Sequence, residues 1–240
     1  MPLWFVSLSS AQPRAIPNII VATPLGVRAG PTTRITLRGV RLDGATEVRC
    51  QHPKVRVKLL DTKKVGVGPR EIVENVGDET VDVEVTVPDD APPEAVTLSV
   101  ITPAGESSPH KLMVDDAQVI AEKEPNDGFR DAQTITLPAT VAGAIQAPQD
   151  VDVFKFEGKA GQRITCEVLA ARLGSPLDAS LTLYDAAGAV LALADDTAGT
   201  RDPVLTITLP KSGTYYLGLI DADDRGGPSH VYRLLVRPGS

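Results

Sequence analysis

At 240 residues the chain is long enough for one large domain or two modest ones, and each half could bury a core of its own. It holds 20 Gly and 20 Pro with 4% aromatic residues, a balance that favours strands joined by turns over helical bundles. The net charge of −7, with no Lys/Arg cluster, excludes the cationic surface that nucleic acid or an anionic membrane needs, and no apolar run reaches membrane-spanning length.

Residues 1–16 open with "MPLWFVSLSS", an apolar run followed by Ser9-Ser10-Ala11, small residues of the kind a signal peptidase accepts. No positive segment precedes it, so two readings stand: the residue of a secretory signal, or a flexible arm. Cys50 and Cys166 fall on separate strand-like tracts and are expected to be two buried thiols rather than a bridge.

From residue 17 to 116 the pattern has period two. In "TTRITLRGVRL" Ile35 and Leu37 oppose Arg34, Thr36 and Arg38, and in "TVDVEVTVP" Val81, Val83, Val85 and Val87 oppose Asp82, Glu84 and Thr86. "EAVTLSVITPAG" continues the alternation, and Pro-Leu-Gly, Leu-Asp-Gly, Pro-Asp-Asp and Pro-Ala-Gly punctuate the runs as turns. About seven short runs in roughly 100 residues predict an immunoglobulin-like sandwich. The succession "ITLRGVRLDGATEV" and "VTVPDDAPPEAVTLSVITPAGES" resembles the IPT/TIG group of immunoglobulin-like domains. Residues 58–78, "KLLDTKKVGVGPREIVENVGD", are longer and more charged than that pattern, and are read as a surface excursion or a ligand loop.

After residue 132 alternation resumes. "DVDVFKFEGKAGQRITCEV" predicts two strands about a Gly158 to Gly161 turn. "LDASLTLYDAAGAVLALADD" predicts a hairpin at Ala187-Gly188, and "PVLTITLPKSGTYYLGLID" a second at Lys211-Ser212-Gly213. "HVYRLLV" closes the sheet. With "EPNDGFRDAQ" and "GGPSHVYRLLV" in the same order, residues 133–240, their motif beginning near 120, resemble the bacterial pre-peptidase C-terminal domain, which implies a jelly-roll-like β-sandwich. The expected architecture is therefore all-β, two sandwiches joined by an acidic linker, residues 117–132.

Within that linker, "AEKEPNDGFRDAQTI", Glu122 and Glu124 lie two apart and share a side if the segment is extended, as Pro125 favours. Asn126-Asp127-Gly128 turns two more oxygen-bearing side chains toward them, and Asp150 and Asp152 stand at the start of a nearby strand. Hard oxygens without His or Cys suit Ca²⁺, which takes six to eight such ligands. The competing reading makes Asn126 and Asp127 turn caps and Glu122 and Glu124 solvated linker charges. The stretch is also similar to the acidic linker of the collagen-binding modules of clostridial collagenases, which implies Glu122, Glu124, Asn126, Asp127 and Asp152 as calcium ligands. Asp150, two residues before Asp152, is the further acid whose part that resemblance leaves undefined. Asp221, Asp223 and Asp224 begin like an EF-hand loop, but Arg225 and Tyr232 occupy ligand places, which excludes one. Asp195, Asp196 and Asp202 are expected to be solvated turn residues, with a second, weak cation site as the alternative.

Catalytic groupings are missing from this sequence. His52, His110 and His230 each stand beside Pro or Ser and are read as surface turn residues, with no HExxH or G-x-S-x-G pattern. Tyr184, Tyr215, Tyr216 and Tyr232 lie on strands, where core packing is the default, with Tyr216 and Tyr232 as candidates for a ligand-binding face. The chain is thus expected to be a non-enzymatic accessory or binding region of an exported bacterial protein, secreted, periplasmic or at the cell surface. It would be monomeric or part of a longer multidomain chain, with an extracellular protein or polysaccharide as the kind of partner it would meet. The rival readings are the non-catalytic part of a secreted peptidase or other enzyme, and a matrix- or polysaccharide-binding adhesin.

Overall fold

The computed structural model describes residues 15–69, 71–90, 94–115 and 118–239, so most of the N-terminal stretch, residues 1–14, lies outside the described residues. In chain order the first sandwich comprises β1 (Asn18–Thr23), β2 (Gly26–Arg28), β3 (Thr32–Val40), β4 (Glu47–Cys50), β5 (Arg56–Lys64), α1 (Val73–Val76), β6 (Glu79–Thr86), β7 (Ala95–Thr102), β8 (Gly105–Glu106) and β9 (His110–Asp115). One sheet runs β1-β3-β6-β5 and the other β2-β9-β7-β4, with β8 on β7. Labelled A-B-E-D and A′-G-F-C, these are the strand orders of an immunoglobulin-like sandwich.

The period-two pattern sets the faces. Ile35 and Leu37 stand opposite Val83 and Val81 across β3 and β6, and all four are fully buried. Each such side chain contributes about 1.5–3 kcal/mol by leaving water. On the outer face Arg34 and Thr36 both donate to Asp82, at 2.8 and 2.7 Å. The charged tract 58–78 forms most of edge strand β5, a loop and the single turn α1. Its lysines and a register shift between Leu59 and Asp61 blunt the edge against further pairing. The Arg38 guanidinium ties the loop down by donating to the carbonyls of Gly66, Val76 and Gly77.

The second sandwich comprises β10 (Ile120–Ala121), β11 (Gln133–Thr134), β12 (Ala139–Ala144), β13 (Asp152–Gly158), β14 (Arg163–Leu169), β15 (Ala179–Tyr184), β16 (Val190–Ala194), β17 (Val204–Thr208), β18 (Gly213–Asp221) and β19 (Val231–Pro238). Two five-stranded sheets, β10-β12-β19-β14-β17 and β11-β13-β18-β15-β16, enclose a core that includes Phe154, Phe156, Ile164, Leu181 and Leu217. The hairpin expected at Ala187-Gly188 joins β15 to β16. The one expected at Lys211-Ser212-Gly213 does not form: β17 pairs with β14 and β18 with β13 and β15, so that turn carries the chain from one sheet to the other. Cys50 and Cys166 are both free thiols, but only Cys166 is buried as expected; Cys50, at the end of strand β4, is half-buried.

The sandwiches meet along a seam. Val21 and Leu25 pack with Leu173 and Val231 in one buried cluster, and Arg233 of β19 holds both carboxylate oxygens of Asp115 at the end of β9. Gly174 has φ +88, and a Cβ there would collide with the carbonyl oxygen of Ile20. The seam therefore brings backbone against backbone where only glycine fits.

Candidate metal centre

The acidic stretch is docked on the second sandwich. β10 pairs in parallel with β12, and the ladder extends one step as the Glu122 N–H donates to the Ala142 carbonyl at 2.9 Å. The Glu122 side chain then accepts from the Ala144 N–H at 2.8 Å and from the Asn126 amide at 3.3 Å. The turn at Asn126 is pinned by its own carbonyl, which accepts from the Val153 N–H at 2.9 Å, and its backbone N–H donates to Glu124 at 3.0 Å. These bonds set residues 122–127 against the start of β13.

Two overlapping acidic groups result. Oxygens of Glu122, Glu124 and Asp152 lie within 4.8 Å of one another, and so do oxygens of Glu124, Asp127 and Asp150, with Glu124 common to both. Gln146 braces the outer group, its side-chain amide donating to Glu124 and its backbone N–H to Asp150. The floor of the inner group is dry, since Asn126 and Asp152 are 0% exposed, whereas Glu122 is half-buried and Glu124 faces solvent. Tyr232, also buried, donates its hydroxyl to Asp152 Oδ2 at 2.6 Å. Asn126 Oδ1 and Asp152 Oδ1 are buried and, among the described residues, have no hydrogen-bond partner. An orphaned buried oxygen is costly and calls for a cation or donor.

The electrostatics point the same way. Burial first, then the neighbouring Glu122 carboxylate, pushes the Asp152 carboxyl far above the ordinary carboxylate range. Glu124 is raised by burial and by the charges of Asp150, Glu122 and Asp127. Burial, followed by the Asp152 and Glu122 charges, lifts the Tyr232 phenol well above its usual value. Crowded carboxylates with orphaned oxygens and no His or Cys donor form a set that fits a hard divalent cation such as Ca²⁺.

Other expected residues fall elsewhere. Tyr232 does not line an external face; it is a core residue whose hydroxyl reaches the acidic group from below. Tyr216 is half-buried and stacks on Phe129 at 4.5 Å between centroids, while Phe129 meets Tyr184 edge-on at 5.2 Å. Phe129 escaped the sequence reading, although it sits inside the quoted "NDGFRD"; a lone aromatic in a polar turn was the available signal. Beside Tyr216 runs an open groove of about 730 Å³, lined in part by Lys155, Glu157, Lys159 and Thr214. Asp202 is fully buried rather than solvated, accepting from the N–H groups of Ala170, Ala171 and Arg172. Asp221 accepts from the N–H groups of Asp178, Asp223 and Arg225, a turn-capping role in place of a ligand loop. His110 and His230 are not surface turn residues: the first begins β9 with Nε2 buried, and the second is 1% exposed.

Residues 150–220 match the family model of the bacterial pre-peptidase C-terminal domain. The second sandwich thus contains the stretch that matches the pre-peptidase C-terminal domain. Such a domain is a non-catalytic accessory unit. The chain is similar to a probable subtilase-type serine protease of Deinococcus radiodurans, 41% identical over 105 residues, which is 42% of this chain and 14% of that protein. The chain thus matches only a small part of that relative's length. Among solved structures, the pre-peptidase C-terminal domain of a Bacillus anthracis collagenase is 21% identical with a TM-score of 0.38, covering 48% of this chain and 100% of that one. A periplasmic inhibitor of g-type lysozyme from Aeromonas hydrophila is 17% identical with a TM-score of 0.35, covering 51% of this chain and 100% of its own.

Proposed function

We propose that this chain is a non-catalytic accessory region of an exported bacterial protein, in which Ca²⁺ fastens the acidic stretch to the pre-peptidase C-terminal domain. So fastened, the stretch holds an IPT/TIG-like first sandwich in a set orientation. The observation that carries this reading is the pair of buried, partnerless oxygens, Asn126 Oδ1 and Asp152 Oδ1, beside the Glu122 and Glu124 carboxylates. Glu122, Glu124, Asn126 and Asp152 would hold the ion, with Asp127 and Asp150 at the outer end. The ion would supply the counter-charge that these carboxylates lack.

A link to the seam supports the orienting role. Tyr232, which touches Asp152, is followed directly by Arg233, which grips Asp115 of the first sandwich. The likeness to a subtilase-type protease favours a place beside a secreted peptidase. The half-exposed Phe129–Tyr216 stack next to an open groove favours, as a second reading, contact with an extracellular protein or polysaccharide.

The test is thermal unfolding in EDTA and in about 1 mM Ca²⁺, the affinity range of extracellular calcium modules. At tenfold excess over Kd, calcium should stabilise the wild type by about 1.4 kcal/mol. Glu124→Ala should lose that gain. No calcium effect on wild type would remove the metal from this reading.

A further inference from the structure

The seam between the sandwiches contains two histidines that the metal centre does not use, His110 half-buried and His230 buried. His110, at the start of β9, has its Cε1 3.2 Å from where a Cβ on Gly174 of the second sandwich would stand, and its Nε2 is buried without a partner. His230, just before β19, is 1% exposed, and among the described residues neither of its ring nitrogens has a hydrogen-bond partner. Its Nε2 lies 3.9 Å from Glu71 of the first sandwich, too far for a hydrogen bond. The adjacent Ser229 hydroxyl donates across the seam to the Val76 carbonyl at 3.3 Å. Each ring therefore stands against the opposite sandwich, and separating the two would expose it further to water.

We propose that His110 and His230 make this seam an acid-sensitive latch, closed while both imidazoles are neutral and released when they take up protons. Burial alone drives the His110 value down from 6.5 to about 4. For His230 burial again dominates; Glu71 and Asp221 favour the charged ring, and Arg225 opposes it. Glu71 is shared with the Arg38 guanidinium, which limits what it offers His230. A histidine lowered in the closed state favours that state fully above its ordinary value near 6.5, and the advantage is lost as pH falls toward the lowered value. For His110 the closed state would lose roughly 300-fold in its equilibrium with the open one across that range, since each unit is tenfold. The inference does not depend on the calcium reading, because neither ring touches the acidic groups.

The experiment is small-angle X-ray scattering on the whole chain in EDTA at about pH 7.5 and about pH 4.5, with circular dichroism alongside, on wild type and on the His110→Gln/His230→Gln variant. With calcium chelated at both pH values, metal loss cannot account for a change. The expected result is a larger maximum dimension for wild type in acid at unchanged strand content, and a variant that stays compact. Unchanged wild-type dimensions, or equal expansion of both proteins, would overturn the latch. If the variant is already open at neutral pH, NMR titration of the wild-type rings decides. Two histidines titrating below the ordinary range together with the expansion uphold the latch, and ordinary values at both sink it.

Discussion

The Tyr232 hydroxyl donates to Asp152 Oδ2 at 2.6 Å in the core of the second sandwich, joining β19 to the start of β13 beneath the acidic stretch. The Asp152 carboxylate accepts no other hydrogen bond among the described residues, since its Oδ1 is orphaned. Tyr232→Phe should therefore leave a buried carboxyl group without any donor and cost about 1–3 kcal/mol. Urea denaturation in EDTA measures it; a loss within error of zero would mean that the bond is replaced on relaxation.

The pH dependence of the calcium-free protein should expose the crowding around Asp152. Its carboxyl is raised above the ordinary 3.8 by burial and by Glu122, so between that value and the raised one the folded state holds a proton that the unfolded chain has released. The associated stability is complete below about 3.8 and declines as pH rises, by at most about 1.4 kcal/mol per pH unit. In EDTA, Asp152→Asn should gain on wild type as pH rises from about 4 to about 8. In calcium the order should reverse, because the amide cannot supply the charge. Parallel stability curves for the two proteins in EDTA would count against a crowded carboxylate.

Arg233 and Asp115 form a bidentate pair across the seam, with side chains 7% and 12% exposed. Removing one partner from so dry a pair leaves an uncompensated charge, and Asp115→Ala should cost about 3–5 kcal/mol. Replacing both, as Arg233→Met with Asp115→Leu, should recover most of the loss. A double-mutant cycle measures the coupling, and additive single effects would show that the pair does not hold the seam.

Gly174 and Gly161 separate backbone strain from domain contact. Both have positive φ, +88 and +78, but a Cβ at Gly161 meets nothing while one at Gly174 runs into the Ile20 carbonyl. Gly161→Ala should cost only the left-handed penalty of about 1–2 kcal/mol. Gly174→Ala should cost more and also loosen the seam, seen as faster proteolysis between the sandwiches. Equal costs with unchanged proteolysis would argue that the approach at Gly174 relaxes freely.

Period-two alternation carried most of the strand reading because a strand with one wet face must alternate. Val81, Val83, Val85 and Val87 are legible for that reason, and all are fully buried. The β17 to β18 connection was misjudged because Lys211-Ser212-Gly213 reverses the chain equally well within one sheet or between two. Only pairing with β14 on one side, and with β13 and β15 on the other, distinguishes the cases. Asp202 read as solvated for a similar reason: an aspartate in a Gly- and Thr-rich loop carries no local sign of the three backbone N–H groups that later converge on it.

The acidic stretch shows the division most plainly. Residue chemistry grouped six oxygen-bearing side chains, since Glu122, Glu124, Asn126 and Asp127 are close in sequence and Asp150 and Asp152 share one short segment, and the resemblance to collagen-binding modules favoured reading them as ligands over solvated linker charges. Their convergence, the dryness around Asn126 and Asp152, and the hydroxyl brought by Tyr232 from 80 residues away came from the tertiary structure. The placement of His110 and His230 against the opposite sandwich has the same origin. Local pattern sets which face a side chain takes on its own strand, but burial and charge depend on what packs against that face, and distant segments of the chain supply it.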